Sequence, residues 1–296
     1  MKQKGHHYIT ESYQKNFADK NGHVWILTPE KRIYNTNPEN SFKKSNFYTV
    51  KLPSGGGSLV VEKTLAEIEG GFISVIKNKI VLGKDLDDED RMYLSLFVAA
   101  MITRTKIQRD HFKDNYNKLI KRMEEMGEMM KKNPPKVAHI EHRDSPSLTL
   151  DELKLHIENF DSDESVSTLG LLQDTAPLIS QMKWSILCAR SSKFFISSDN
   201  PFCMCAPKRE QLYGKGTMGA SAGLLDGDVE LTFPLSREYV LFASWESKRP
   251  LYVNVEEDVI EQVNYRTCRT ASNLIAGSKQ ELEEIIKKVT SNVLPC

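Results

Sequence analysis

An α+β fold with a helical middle is the prediction for this 296-residue chain, and three patterns carry it. Apolar residues recur at helical spacing from residue 60 to about 132. Short β-branched and aromatic runs, punctuated by turn residues, lie on both sides of that block. Amphipathic helical periodicity then returns at the C-terminal end. The length is enough to bury a substantial core, and 1–296 reads as a single domain, with two closely packed domains also compatible.

Residues 6 to 50 read as extended. Tyr8, Tyr13 and Phe17 precede the turn dipeptide Asn21-Gly22, and His23-Val24-Trp25-Ile26-Leu27 has the composition of a strand. Arg32-Ile33-Tyr34 pairs back on it across Thr28-Pro29-Glu30-Lys31. Residues 41 to 50 continue extended, with Phe47 and Tyr48 buried, and Pro53-Ser54-Gly55-Gly56-Gly57-Ser58 is a flexible lead into the first helix.

From Val60 onward Leu65, Ile68, Phe72, Val75, Ile76 and Ile80 mark one apolar face, interrupted at Gly70-Gly71. The run Asp85-Leu86-Asp87-Asp88-Glu89-Asp90 is an N-terminal signal, because carboxylates favour the positive end of the helix dipole. It opens one long helix through about Lys132. The first half, rich in Leu94, Phe97, Val98 and Met101, is apolar enough to cross a core. The second half thins to Phe112, Tyr116, Leu119, Ile120 and Met123 among dense charge. Residues 112–135 are therefore expected to project, with 112–132 offered to a protein partner or a second copy and Pro134-Pro135 ending the helix.

A polar connection follows at 136–150. Thr149 with Glu152 has the spacing of a capping box for a short helix through Phe160, and residues 165–180 are helical again. Residues 184–189 and 194–197 flank a turn at Arg190-Ser191-Ser192-Lys193, a hairpin pattern that ends on Ser198-Asp199-Asn200-Pro201. Residues 214–227 form a glycine-rich connection or lid without P-loop spacing. A second hairpin spans 229–235 and 239–245. Residues 259–276 and 280–289 close the chain as two helices, and no repeat at a solenoid period is present.

Forty basic residues balance forty acidic ones, so no global field steers the protein to nucleic acid or to an anionic membrane. A local basic groove stays compatible with this balance. The basic N-terminus Met1-Lys2-Gln3-Lys4-Gly5 lacks the apolar segment of a signal peptide, and no stretch approaches the ~20 apolar residues of a membrane helix. A soluble, cytoplasmic protein is expected. Five cysteines, Cys188, Cys203, Cys205, Cys268 and Cys296, form an odd set that suits reduced thiols. Cys203-Met204-Cys205 is the only close pair and is a weak zinc signal.

The residue types suited to chemistry are scattered. Glu62 and Glu69 are seven apart, which puts two carboxylates on one helix face, whereas Glu67 falls about 160° from Glu69. The bland reading is a solvated amphipathic face. His6-His7 supplies imidazole near pH 7, and adjacent strand residues point apart, so one of the two faces a site. Asp199 closes a strand-like run; it either holds a ligand or satisfies backbone N–H groups in an Asx turn. Arg104, past the apolar half of the long helix, suits bidentate grip on phosphate or carboxylate. Arg104 and His111 also fit the loose Arg-x4–6-His pattern of HEPN-type ribonucleases, with Thr105 where those enzymes usually place asparagine, aspartate or histidine. His139-Ile140-Glu141-His142 lies in a polar connection without HExxH order.

The order of these segments resembles DUF4238, a bacterial family of unknown function. The resemblance rests on His6-His7-Tyr8 beside the HHYxPxxYLRxF opening, on the seven-residue Glu62–Glu69 spacing, on Arg104-Thr105 after an apolar helix, and on Ser198-Asp199-Asn200-Pro201 beside a TSDNP-like motif. This chain has Thr10, Ser12 and Gln14 where the family more often shows proline, an aromatic and leucine. The resemblance implies one assembled site, favouring His7 over His6 and the site role of Asp199 over the turn role.

The expected function is a metal-assisted, nuclease-like hydrolase of phosphodiesters in nucleic acid or a nucleotide, with bacterial defence or a toxin system as its expected setting. His7, Glu62, Glu69 and Asp199 would hold Mg²⁺, Mn²⁺ or Zn²⁺, Arg104 would neutralise the growing phosphate charge, and His6, Tyr48 and Asn200 would contact substrate. Two alternatives stand beside it: a binding or sensor module whose polar cluster is structural, and a metal-independent HEPN-like ribonuclease using Arg104 and His111.

Overall fold

The computed structural model describes residues 5–45, 50–51, 57–58, 60–133, 149–158, 160–213 and 222–290. Tyr48, His139, His142 and most of the glycine-rich segment after Tyr213 lie outside the described residues. The fold is α+β, as predicted. Its N-terminal part holds β1 (Gly5–His7), α1 (Glu11–Lys15), β2 (Val24–Leu27), β3 (Ile33–Thr36), β4 (Lys43–Ser45), β5 (Val50–Lys51) and β6 (Gly57–Ser58). β2 and β3 form the expected hairpin, Leu27 opposite Ile33, across a turn that Lys31 closes with a φ of 62°. Short ladders join β1 to β4 and β5 to β6.

The helical middle follows. α2 (Val60–Val75) runs on through a π turn, Ile76–Ile80, and precedes α3 (Asp88–Arg104), α4 (Lys106–Lys132), α5 (Leu150–Glu158) and α6 (Phe160–Gln181). Two expectations need correction here. α2 is not interrupted at Gly70-Gly71: a Cβ on Gly71 would stand 2.1 Å from Cδ1 of Tyr93, so this glycine lets α3 pack close rather than breaking the helix. Nor is there one helix from 85 to 132. Asp87 and Asp90 form a reciprocal capping box at its start, but the chain turns extended at buried Thr105, φ −69° and ψ 147°. Just before the break the Thr103 hydroxyl bonds back to the carbonyls of Ala99 and Ala100, which bends and weakens a last turn.

The C-terminal part is mainly sheet. It contains β7 (Lys183–Ala189), β8 (Ser197–Ser198), β9 (Cys203–Cys205), α7 (Pro207–Tyr213), β10 (Glu230–Pro234), β11 (Tyr239–Ser244), β12 (Tyr252–Val255), α8 (Glu257–Thr270), β13 (Leu274–Ala276) and α9 (Lys279–Thr290). One sheet has the order β12-β7-β11-β10-β9 and another the order β3-β2-β13-β8. β10 and β11 pair as the expected hairpin. The expected 184–197 hairpin does not form, because β7 pairs with β11 and β12 whereas β8 pairs with β13 in the other sheet. The reason is visible in burial. Phe195 packs among Leu187, Val240 and Phe242, and its neighbour Ile196 among Leu27, Leu274 and Leu282, so this segment crosses from one apolar cluster to another. The expected helix over 259–276 also ends early, at Thr270. Leu274, Ile275 and Ala276 are all buried, as a strand covered on both faces requires.

The main core joins these parts. Phe72 of α2 stacks on Phe97 of α3 with centroids 3.8 Å apart, and Tyr13, Phe17 and Phe233 surround them. Burial of such rings is the dominant stabilising term here.

Candidate functional site

The N-terminal segment is positioned by its own local chemistry. Thr10 caps α1 by accepting from the Tyr13 N–H at 3.3 Å, a role open to threonine and typical of a helix start. Gln14 is fully buried yet satisfied: its amide donates to the Ile9 carbonyl at 2.8 Å and its oxygen accepts from the Ser41 hydroxyl at 2.5 Å. Tyr13 reaches across the molecule, donating to the Pro234 carbonyl at 2.8 Å and lying 2.8 Å from the Ser197 hydroxyl. Asn16 donates to the Leu235 carbonyl at 3.0 Å. α1 is therefore pinned between β8 and the end of β10, and the segment before it is held by its ladder with β4 and by the Tyr8 N–H donating to the Phe42 carbonyl at 2.9 Å.

His7 lies opposite Lys43 in the β1–β4 ladder. Burial, and then the Lys43 charge, hold its imidazole below the ordinary value, while a hydrogen bond with the Ser41 carbonyl and the charges of Glu11 and Glu69 act the other way. Glu69 accepts a short hydrogen bond from the Ser12 hydroxyl. His7, Ser12 and Glu69 thus share one locality. Glu62 is two turns earlier on α2, about 10 Å along the axis at the helical rise, and its Oε2 is buried.

Tyr8 faces a second group. Its ring meets Phe42 edge-on at 5.8 Å, and burial followed by the charges of Asp199 and Tyr34 pushes its hydroxyl up to about 12. Asp199 is buried, and its carboxylate is well occupied: Oδ1 accepts from the backbone N–H groups of Ser272 at 2.9 Å and Asn273 at 3.0 Å, and Oδ2 from the Asn273 amide at 2.7 Å. Asn200 donates to the Thr270 carbonyl at 2.9 Å, and the Thr270 hydroxyl returns a bond to the Asn200 carbonyl at 3.2 Å. The Ser198 to Pro201 turn is thereby tied to the connection between α8 and β13.

Of the predicted residues, His7 and Glu69 share one neighbourhood, with Glu62 two turns back on α2, and Asp199 and Asn200 form another, which is faced by Tyr8, a residue outside the predicted set. Consecutive residues of an extended chain point to opposite sides, which is why His7 and Tyr8 serve different groups. Among the described residues no group of three or more His, Cys, Asp and Glu side chains is arranged to hold a metal ion. Arg104 ends α3 and His6 lies opposite Lys44 in β1; the positions of their side chains are not described. The break at Thr105 also separates Arg104 from His111, so the shared helix face expected from their spacing does not exist. Cys203 and Cys205 are buried on β9, and burial pushes both thiols up, Cys205 to about 12.

These motif residues fall within the span that decides the family. A family model described as "Protein of unknown function (DUF4238)" matches residues 5–281. The chain belongs to the DUF4238 family. Neither the curated proteins nor the solved structures contain a match to it. Where this DUF4238 chain departs from the opening pattern, at Thr10, Ser12 and Gln14, the structure supplies a cap, a hydroxyl for Glu69 and two hydrogen bonds in place of rigid or apolar contacts.

Sequence reasoning did not single out Ser12, Lys43, Ser272 or Asn273. Ser12 carried one usable signal, since a serine in the first turn of a short helix beside an imidazole has few packing reasons to be there. The three others become partners only through tertiary contact.

Proposed function

We propose that the chain is a hydrolase of phosphodiesters, acting on nucleic acid or a nucleotide, with His7 and Glu69 as its acid–base centre. The observation supporting this reading is the Ser12–Glu69 hydrogen bond, which brings the Glu69 carboxylate from α2 to the N-terminal segment, where its charge acts on the His7 imidazole. An imidazole held below its ordinary value is neutral at pH 7 and competent to take a proton from water. Glu69, steadied by the Ser12 hydroxyl, then stabilises the imidazolium as it forms. Lys43 opposite His7 places positive charge beside the reacting phosphate, and Arg104 adds to it in this reading.

A divalent cation, Mg²⁺, Mn²⁺ or Zn²⁺, would find the Glu69 carboxylate as its protein donor and take its remaining positions from water and phosphate oxygens, which leaves the His7 imidazole free to act as the base. Its contribution would be to lower the pKa of a bound water.

The test is turnover of bis(p-nitrophenyl) phosphate and of an end-labelled single-stranded oligonucleotide by wild type, His7→Gln and Glu69→Gln, with and without EDTA. Both variants should remain folded and lose turnover by roughly 10²- to 10⁴-fold, the range for a positioned acid or base. Full turnover in His7→Gln would remove the centre. One observation favours a second reading, a binding module with a structural polar network: the described donors to Asp199 are all protein groups. Oligonucleotide binding by a wild type that turns over neither substrate would select it.

A further inference from the structure

α8 presents two different faces. Ile260, Val263 and Thr267 are buried on one side, where Ile260 and Val263 pack with Leu187 and Val240. Gln262, Tyr265, Arg266 and Arg269 follow the i, i+3, i+4, i+7 spacing and fall within about 100° of one another on another side. That polar face forms one wall of a cavity of about 590 Å³, and β9 and α7 supply the others. The volume is in the range of small-molecule sites. Gln262 and Arg269 are exposed and stand at its mouth, whereas Arg266 is half-buried and lies deeper.

The lining has cationic donors in excess of acceptors. Arg266 and Arg269 are its cations, Glu210 is its one carboxylate, and Cys203 and Cys205 stay neutral thiols because burial raises both. A guanidinium is a fork of several N–H donors, and the ion pairs here engage few of them. Arg266 gives Nη2 to Glu230, a residue outside the lining, at 2.6 Å. Arg269 reaches Glu210 only at 3.5 Å, the outer limit of a hydrogen bond. Neither arginine donates to any other acceptor among the described residues. Residues three apart on a helix are neighbours, so one oxyanion can meet both forks, accepting parallel N–H bonds that water supplies less well.

We propose that the cavity between α7, α8 and β9 is a binding site for a small organic anion, held through a carboxylate or phosphate by Arg266 and Arg269. Gln211 and Gln262 offer amides to the rest of the molecule, and the floor at Cys203 and Cys205 accepts an apolar portion. The Arg269–Glu210 contact is long and near the surface, so giving it up for an incoming oxyanion costs little. The site shares no residue with the His7 and Glu69 centre and does not depend on the hydrolase reading.

The test is a ligand-observed NMR titration of the full chain with benzoate, phenyl phosphate and benzamide, which share one ring and differ in the head group. At least one of the two anions should bind with a Kd below about 10 mM, and uncharged benzamide at least about tenfold more weakly. The tighter of the two anions tells a carboxylate site from a phosphate site. Arg269→Gln should weaken that anion roughly tenfold or more, the effect of losing a charge-assisted contact. Gln211→Trp, which puts a ring at the mouth and leaves both arginines in place, should weaken it at least as much. Both variants should keep the wild-type circular dichroism spectrum, since both positions are exposed. His7→Gln should bind the anion as the wild type does. Absence of binding by either anion overturns the proposal, as does benzamide binding equal to theirs. So does anion binding that Arg269→Gln and Gln211→Trp both retain, or that His7→Gln loses.

Discussion

Asp199→Asn is the change that separates a structural anchor from a chemical group at the Ser198 to Pro201 turn. The wild-type carboxylate accepts three hydrogen bonds from Ser272 and Asn273. In the variant an amide oxygen still accepts from the two backbone N–H groups, but the other atom becomes an N–H donor facing the Asn273 amide donor at the former 2.7 Å contact. Rotation of the Asn273 amide relieves that conflict. What is lost is charge assistance: bonds to a charged group contribute roughly 1.5–3 kcal/mol and neutral ones about 0.5–1.5. Three weakened bonds, partly compensated by rearrangement, give a loss of about 2 kcal/mol, or roughly 3 °C in Tm for a chain of this size. Asp199→Ala removes the acceptor of the Ser272 and Asn273 N–H groups along with the Asn273 amide bond and should cost about 2–4 kcal/mol. Urea denaturation of wild type, both variants and Asp199→Asn/Asn273→Asp provides the assay. The double variant should regain part of the loss, because the side-chain bond reforms with donor and acceptor exchanged. Wild-type stability in Asp199→Asn together with a collapse of turnover would refute the anchor role and return this carboxylate to the chemistry.

Other outcomes follow from the same structure. Phe97→Ala removes the ring stacked on Phe72 and should lower the unfolding free energy by about 3–5 kcal/mol in urea. Gly71→Ala sets a methyl against the Tyr93 ring and should cost about 1–3 kcal/mol, with Tyr93→Ser added to it costing less than the sum of the two. Tyr13→Phe leaves Ser197 and the Pro234 carbonyl short of one partner and should cost roughly 1–3 kcal/mol by the same measurement. For His7 the folded value lies below 6.5, so its contribution to stability is present above pH 6.5 and is lost as pH falls through the folded value. The acid limb of a Tm–pH profile should therefore be flatter in His7→Gln, and turnover of the wild type should rise with pH below 6.5 and level off above it.

Parts of the site were legible in the chain because neighbouring residues carry them. His7, Glu69 and Asp199 were proposed from residue type, spacing and the family motif, and the structure sets His7 within the field of the Glu69 charge. The partition into two groups was not legible. It depends on how the β1–β4 ladder places His7 and Tyr8, and on Ser272 and Asn273, 73 and 74 positions from Asp199, arriving with their N–H groups. The expectation of one continuous helix to Lys132 failed for a local reason that was present in the sequence but outweighed by periodicity: Thr103 and Thr105 at the end of an apolar helix favour a break.

What the sequence by itself determined is short-range. The capping boxes of Asp87 with Asp90 and of Thr149 with Glu152, the β2–β3 and β10–β11 hairpins and the apolar face of α2 each depend on residues a few positions apart, whose geometry is set by backbone sterics and local hydrogen bonds. Tertiary structure alone decided that β7 and β8 enter different sheets, that residues 274–276 become a strand, that Gly71 admits Tyr93 and that Ser12 meets Glu69. Those choices compare whole burial patterns and the satisfaction of distant backbone groups. No window of sequence contains both members of such a pair, so their energies appear only when the chain has closed on itself.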